Sequence, residues 1–182
     1  MLGRFDEALR LTRRAVDLDP LNAHSWQALG DTEYYAGQLD AAAADFQKAL
    51  ELNPDVFPGN ILLSRTYIIQ GRAQDALSEI ELVRYDDARA SLYPIAYYSL
   101  GRKKDADAAL SELIAKYHAT TAYQIAAVYA FRNQSDEAFE WLDRAYVQRD
   151  DDLVITKVDP LLKKLHGDPR FGAFLNKLNL PI

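Results

Sequence analysis

The chain has 182 residues, no cysteine and a formal net charge of −6. Without thiols it forms no disulfide framework, no thiolate metal site and no cysteine nucleophile, and its acidity argues against a general nucleic-acid-binding role. No apolar run reaches the roughly 18 residues that a membrane span needs, and the amphipathic start with Asp6, Glu7, Asp17 and Asp19 does not read as a secretory signal. Residues 1–22 carry one helical apolar face, Phe5, Ala8, Leu9, Thr12 and Val16. Shifted by about 34 residues, the length of a helix–turn–helix repeat, Gly3 falls on Gly37, Phe5 on Leu39, Ala8 on Ala42, Ala15 on Ala49 and Pro20 on Pro54. This segment therefore reads as the second helix of a repeat whose first helix is missing. That points to a piece of a longer protein, a truncated reading frame or an oligomer that covers the face.

Residues 23–56 form the clearest repeat. Trp26, Leu29 and Gly30 lie on its first helix, Ala42, Phe46 and Ala49 on its second, and Pro54 closes it. Gly30 and Ala42 are small where the helices cross; Trp26, Leu29 and Phe46 fill the space around them. Gly37 suits a turn of positive φ, and Asn53 before Pro54 is pushed out of the α region. Residues 57–86 repeat the pattern, with Gly71 at the turn, Ser64 in place of the small glycine and a short second helix over 73–83 that ends before Arg84–Asp87. Residues 87–118 form a shortened copy. Pro94 stands in its first helix, where a kink, or a start only a few residues earlier, is expected. Residues 119–150 form another repeat, with Ala126, Ala138, Leu142 and Ala145 inward, Asn133 at the turn and Ser135 as N-cap candidate. In the tail, 151–182, Asp159-Pro160 and Asp168-Pro169 predict capped helices over 160–165 and 169–178 that cover the last repeat.

The order and spacing of Trp26, Leu29, Gly30, Ala42, Phe46, Ala49 and Pro54 resemble the tetratricopeptide-repeat family. The resemblance implies an all-α right-handed superhelix of antiparallel helix pairs with a C-terminal helical cap. It also implies a binding scaffold for protein or peptide segments, with no cofactor and no catalysis. Glu33 departs from the pattern, standing where the family carries an aromatic. Residues 122–180 also resemble the repeat tails of bacterial multidomain regulators, which implies a part of a larger bacterial regulatory protein. The alternatives are a self-association module, with a homodimer through residues 1–20, or the tail of a cyclase or kinase whose catalytic domain is absent. A cytoplasmic location is expected, or a periplasmic one if the chain belongs to a membrane-anchored protein.

The family's concave groove is built mainly by first helices. Carried over by position, it comprises His24, Gln27, Asp31, Tyr34 and Tyr35, then Ile61, Arg65 and Ile68, then Tyr98, then Tyr123, Ala127 and Phe131. Aromatics and arginine favour binding hot spots, while packing between repeats is the other use of such tyrosines and isoleucines. The family's clamp for chaperone-tail carboxylates needs lysine and asparagine where Gln27, Asp31, Ile61 and Arg65 stand, so that clamp is absent. His24, His118 and His166 lie in separate segments and suggest no metal site. Asp150, Asp151 and Asp152 lack calcium-loop spacing and read as a solvated helix end, with Asp152 as a cap. Lys157, Lys163, Lys164, Arg170 and Lys177 read as a solvated basic face.

Overall fold

A computed structural model describes residues 4–181, and among these every regular element is helical. The predicted turn at Gly3 lies outside the described residues. The helices gather into two compact units that meet in sequence at Arg84 and Tyr85.

The first unit holds α1 (Phe5–Leu18), α2 (Ala23–Tyr35), α3 (Leu39–Leu52), α4 (Gly59–Ile69) and α5 (Ala73–Ile80). Asn22 starts α2 by accepting from the backbone N–H groups of His24 at 3.0 Å and Ser25 at 3.4 Å, two of the donors a helix start leaves free. Gly37 and Gly71 take φ of +79° and +78° at the α2–α3 and α4–α5 turns. Gly30 is needed for close approach: a Cβ there would lie 2.7 Å from ring carbons of Phe46, which is fully buried. Burying a ring of that size contributes roughly 1.5–3 kcal/mol. Leu9 and Val16 of α1 pack with Leu29 and Trp26 of α2, while Ala23 of α2, Ala49 of α3 and Val56 form a second cluster that Trp26 also joins. Trp26 also donates through Nε1 to the Pro20 carbonyl at 2.8 Å. Ser64 is fully buried in the place of the small glycine and donates to the Asn60 carbonyl. The second helix of this repeat ends at Ile80, earlier than the apolar pattern suggests. Leu82 and Val83 instead donate to Glu79 and Ile80, three residues back, the tighter spacing of a 3₁₀ finish.

The second unit holds α6 (Asp86–Ser99), α7 (Lys103–Tyr117), α8 (Ala122–Phe131), α9 (Ser135–Gln148) and α10 (Pro169–Lys177), with 3₁₀ segments at Asp151–Ile155 and Pro160–Leu165. Gly101 and Asn133 take the left-handed turn positions, at φ +72° and +62°. Three local expectations are corrected. The α6 helix does not start only a few residues ahead of Pro94 but at Asp86, and continues past it; Leu92, Ile95 and Ala96 are buried around the proline. Ser135 is the first residue of α9 and makes no capping bond, because the flanking position belongs to Gln134. In the acidic run the cap is Asp150, not Asp152. Asp150 Oδ1 accepts from Asp152 N–H at 3.1 Å and its Oδ2 from Tyr123 N–H at 3.2 Å, while Asp152 accepts from Gln124 at 2.6 Å. These carboxylates hold the start of α8 and are not merely a solvated end. Asp159 and Asp168 cap as their Asp-Pro steps suggest, accepting from Leu161 and Arg170 N–H at 2.9 Å each. Residues 160–165 form a 3₁₀ helix against α8, with Leu161, Leu162 and Leu165 buried.

Candidate protein-interaction surface

In the first unit the relevant elements are α2 and α4, the first helices of two consecutive pairs, which touch one another. Positions four apart on a helix share a face, so Gln27, Asp31 and Tyr35 line up on α2. His24 is exposed, Asp31 and Tyr35 are half-buried, and Gln27 is 4 % exposed. Gln27 donates through Nε2 to Asp31 Oδ1 at 2.7 Å. Burial raises the Asp31 carboxyl from 3.8 to about 6, and the Gln27 hydrogen bond only partly offsets it. Tyr34 is fully buried and meets Tyr35 edge to face, ring centroids 5.0 Å apart. On α4, Ile61 is half-buried, whereas Arg65 and Ile68 are buried. The accessible part of this face is therefore His24, Asp31, Tyr35 and Ile61; Tyr34 and Ile68 take the packing role.

In the second unit, Tyr98 of α6 and Phe131 of α8 come together edge to face at 6.3 Å. Tyr98 is exposed and Phe131 half-buried. Arg132 lies over the Tyr98 ring at 5.3 Å and pairs with Asp107, and Lys164 donates to the Phe131 carbonyl at 2.6 Å. Tyr123 and Ala127 are enclosed, and the Tyr123 hydroxyl donates to buried Asp159 at 3.2 Å. They, too, pack the interior.

Sequence reasoning missed two charged clusters. Glu33 of α2 is buried and takes Arg13 of α1 at 3.3 Å, and Asp45 of α3 faces it, pushed up to about 7 by burial first and by Glu33 second. The signal was the acid at an aromatic place. Arg132 and Lys164 around the Tyr98–Phe131 pair carried no signal, because their approach depends on how the tail folds back. Among the described residues no group of three or more His, Asp or Glu could hold a metal ion, and no helix is long and apolar enough to cross a membrane.

Family models described as tetratricopeptide repeat match residues 2–57 and 33–93. Superkiller complex protein 3 of Mus musculus is 28% identical over 81 residues, which is 44% of this chain and 5% of that protein. Hsc70-interacting protein 1 of Drosophila melanogaster is 34% identical over 83 residues, 46% of this chain and 20% of that protein. The chain thus spans a small part of either relative. Among solved structures, TTC0263, a thermophilic TPR protein of Thermus thermophilus, aligns with a TM-score of 0.64 at 22% identity, covering 96% of this chain and 92% of its own. YrrB, a TPR protein with an unusual peptide-binding site, aligns with a TM-score of 0.54 at 17% identity, covering 96% and 84%. At these identities the likeness shows the fold. With Trp26, Gly30, Phe46 and the glycine turns in their structural places, the chain belongs to the tetratricopeptide-repeat family, whose helix pairs build protein-interaction scaffolds.

Proposed function

We propose that this chain binds a segment of another protein, without catalysing a reaction, as part of a larger bacterial regulatory protein. In the first unit the segment lies on the first-helix face, against His24, Asp31, Tyr35 and Ile61; in the second unit, Tyr98 and Phe131 offer a separate first-helix face. The observation that carries the reading is the α2 face, where an aromatic ring, an aliphatic side chain and a carboxylate are partly open to solvent on two touching helices. Half-buried aromatics supply contact area at low entropic cost, the pattern that interface anchors favour. The naming of relatives for a bound protein, Hsc70, and for a peptide-binding site supports the class of partner. Hsc70 itself is not carried over, because Gln27, Asp31, Ile61 and Arg65 replace the clamp residues for a chaperone tail.

Selection of a random-peptide display library on the immobilised chain tests this. Enriched peptides are expected to bind about tenfold or more weakly to Tyr35→Asp and Ile61→Asp, and unchanged to Glu51→Ala on the exposed side of α3. Equal binding to all three variants would contradict the reading.

A second reading, self-association through α1, is favoured by one observation. Leu11 and Leu18, one face of α1 two turns apart, are 53% and 70% exposed, and Leu21 just beyond is 78% exposed. Light scattering over a concentration series tests it. A dimer that Leu11→Asp and Leu18→Asp dissolve supports the reading, and a monomer throughout contradicts it.

A further inference from the structure

The face of α2 holds a carboxylate without an ion-pair partner and a buried amide oxygen without a donor among the described residues. The Asp31 carboxylate is half-buried, and its one hydrogen-bond partner among the described residues is Gln27 Nε2 at 2.7 Å. Among the same residues no ion pair reaches it, and burial, only partly offset by the Gln27 hydrogen bond, leaves its carboxyl raised to about 6. Gln27 is 4 % exposed, and its Oε1 is buried with no donor among the described residues. Buried acceptors without partners cost free energy in the unbound protein and are rare without a reason. One turn beyond Asp31, the half-buried Tyr35 ring stands on the same face. A half-buried carboxylate and a half-buried aromatic ring on one face suit a ligand that brings positive charge on an N–H donor.

We propose that this face is the receptor for a cationic side chain, a lysine or arginine of the bound segment, with its charged nitrogen on Asp31 and its stem along Tyr35. Gln27 acts as a positioning residue: its Nε2 bond to Asp31 Oδ1 holds that carboxylate on the face. A neutral donor would satisfy the hydrogen bonds but would leave the buried carboxylate without a counter-charge, whereas a cation does both. The inference rests on the reading that α2 and α4 receive a protein segment, and it names the chemistry of that segment.

The test uses the full chain and a random-peptide library selected in parallel on wild type and Asp31→Asn. On wild type, lysine or arginine is expected to be fixed at one position of the enriched peptides. Replacing that residue by glutamine, or Asp31 by asparagine, should each weaken binding about tenfold or more. The two changes together should cost no more than one alone, because they delete the same contact. Wild-type affinity should also fall as pH drops through about 6, where Asp31 protonates, and the fall should vanish in Asp31→Asn. Thermal unfolding checks that Asp31→Asn folds, which is expected since a neutral amide is cheaper to bury than a carboxylate. Peptides that bind the α2–α4 face with no basic position, or losses that add rather than coincide, overturn the cationic receptor and leave the broader reading intact. A library that yields no binder to this face removes both.

Discussion

Arg13 of α1 reaches Glu33 of α2 at 3.3 Å, and the Glu33 side chain is only 4% exposed. A carboxylate thus occupies an interior place between the first two helices, and a second one, Asp45 of α3, faces it. Among the described residues Glu33 Oε2 is buried without a hydrogen-bond partner, and a hydrogen bond between the Glu33 and Asp45 side chains favours protonated Asp45. Burial is the main cause that lifts Asp45 to about 7; the hydrogen bond and charge of Glu33 add to it, and Arg13 opposes it. A carboxyl whose folded pKa lies above its unfolded value contributes stability that is full below pH 3.8 and is lost as pH rises through about 7. Asp45→Asn keeps a donor toward Glu33 at every pH. The variant should therefore gain on wild type as pH rises from 5 to 8, by on the order of 1 kcal/mol after solvent screening. Urea unfolding followed by circular dichroism at several pH values measures the gap, and a constant gap would remove the shared proton from the account.

Gly30 predicts a steric limit at the crossing of α2 and α3. Alanine there gains up to about 1 kcal/mol of helix propensity but sets a methyl 2.7 Å from the buried Phe46 ring. Valine adds bulk without the propensity gain. Gly30→Val should lower stability by about 2 kcal/mol or more through overpacking, read as a lower urea midpoint with an unchanged slope.

Asp159 predicts a long-range role for the tail. It is fully buried and accepts from both Leu161 N–H and the Tyr123 hydroxyl. Asp159→Ala removes a helix cap and a hydrogen bond between α8 and the 3₁₀ segment, a loss of about 2–3 kcal/mol. Asp159→Asn, which keeps an acceptor for Leu161, should lose less. Equal losses would mean that the charge, and not the cap, holds this joint.

Much of this architecture could be read before any coordinates, for a physical reason. A repeat writes its requirements locally: the positive φ at Gly37, Gly71, Gly101 and Asn133 and the Asp-Pro starts of the tail each involve neighbours in sequence. Features set by distant segments were not readable. Asp150 caps α8 from across a helix pair, Pro94 is tolerated because the packing around it is dense, and Glu33 is buried because Arg13 and Asp45 converge on it. The same limit applied to the groove. Position along a first helix names Tyr34, Ile68, Tyr123 and Ala127, but only the neighbouring helix decides whether such a side chain is covered, and these four are.

Arg149 offers a stabilising change. It ends α9 in the left-handed conformation, φ 57° and ψ 44°, with Asp150 N–H bonded back to the Ala145 carbonyl at 3.0 Å. That conformation costs a residue with a Cβ about 1–2 kcal/mol, part of which glycine gives back as unfolded-state entropy. Arg149→Gly should raise stability by about 0.5–1 kcal/mol, seen as a higher melting temperature; a lower one would show that the Arg149 side chain holds the turn.

The most direct test of the central claim is backbone NMR of the uniformly labelled chain, titrated with a peptide selected on it. The account predicts that the largest shift changes fall on α2 and α4, at His24, Asp31, Tyr35 and Ile61, with α3 and α5 little affected. Changes centred on the exposed face of α3, around Lys48 and Glu51, would contradict it.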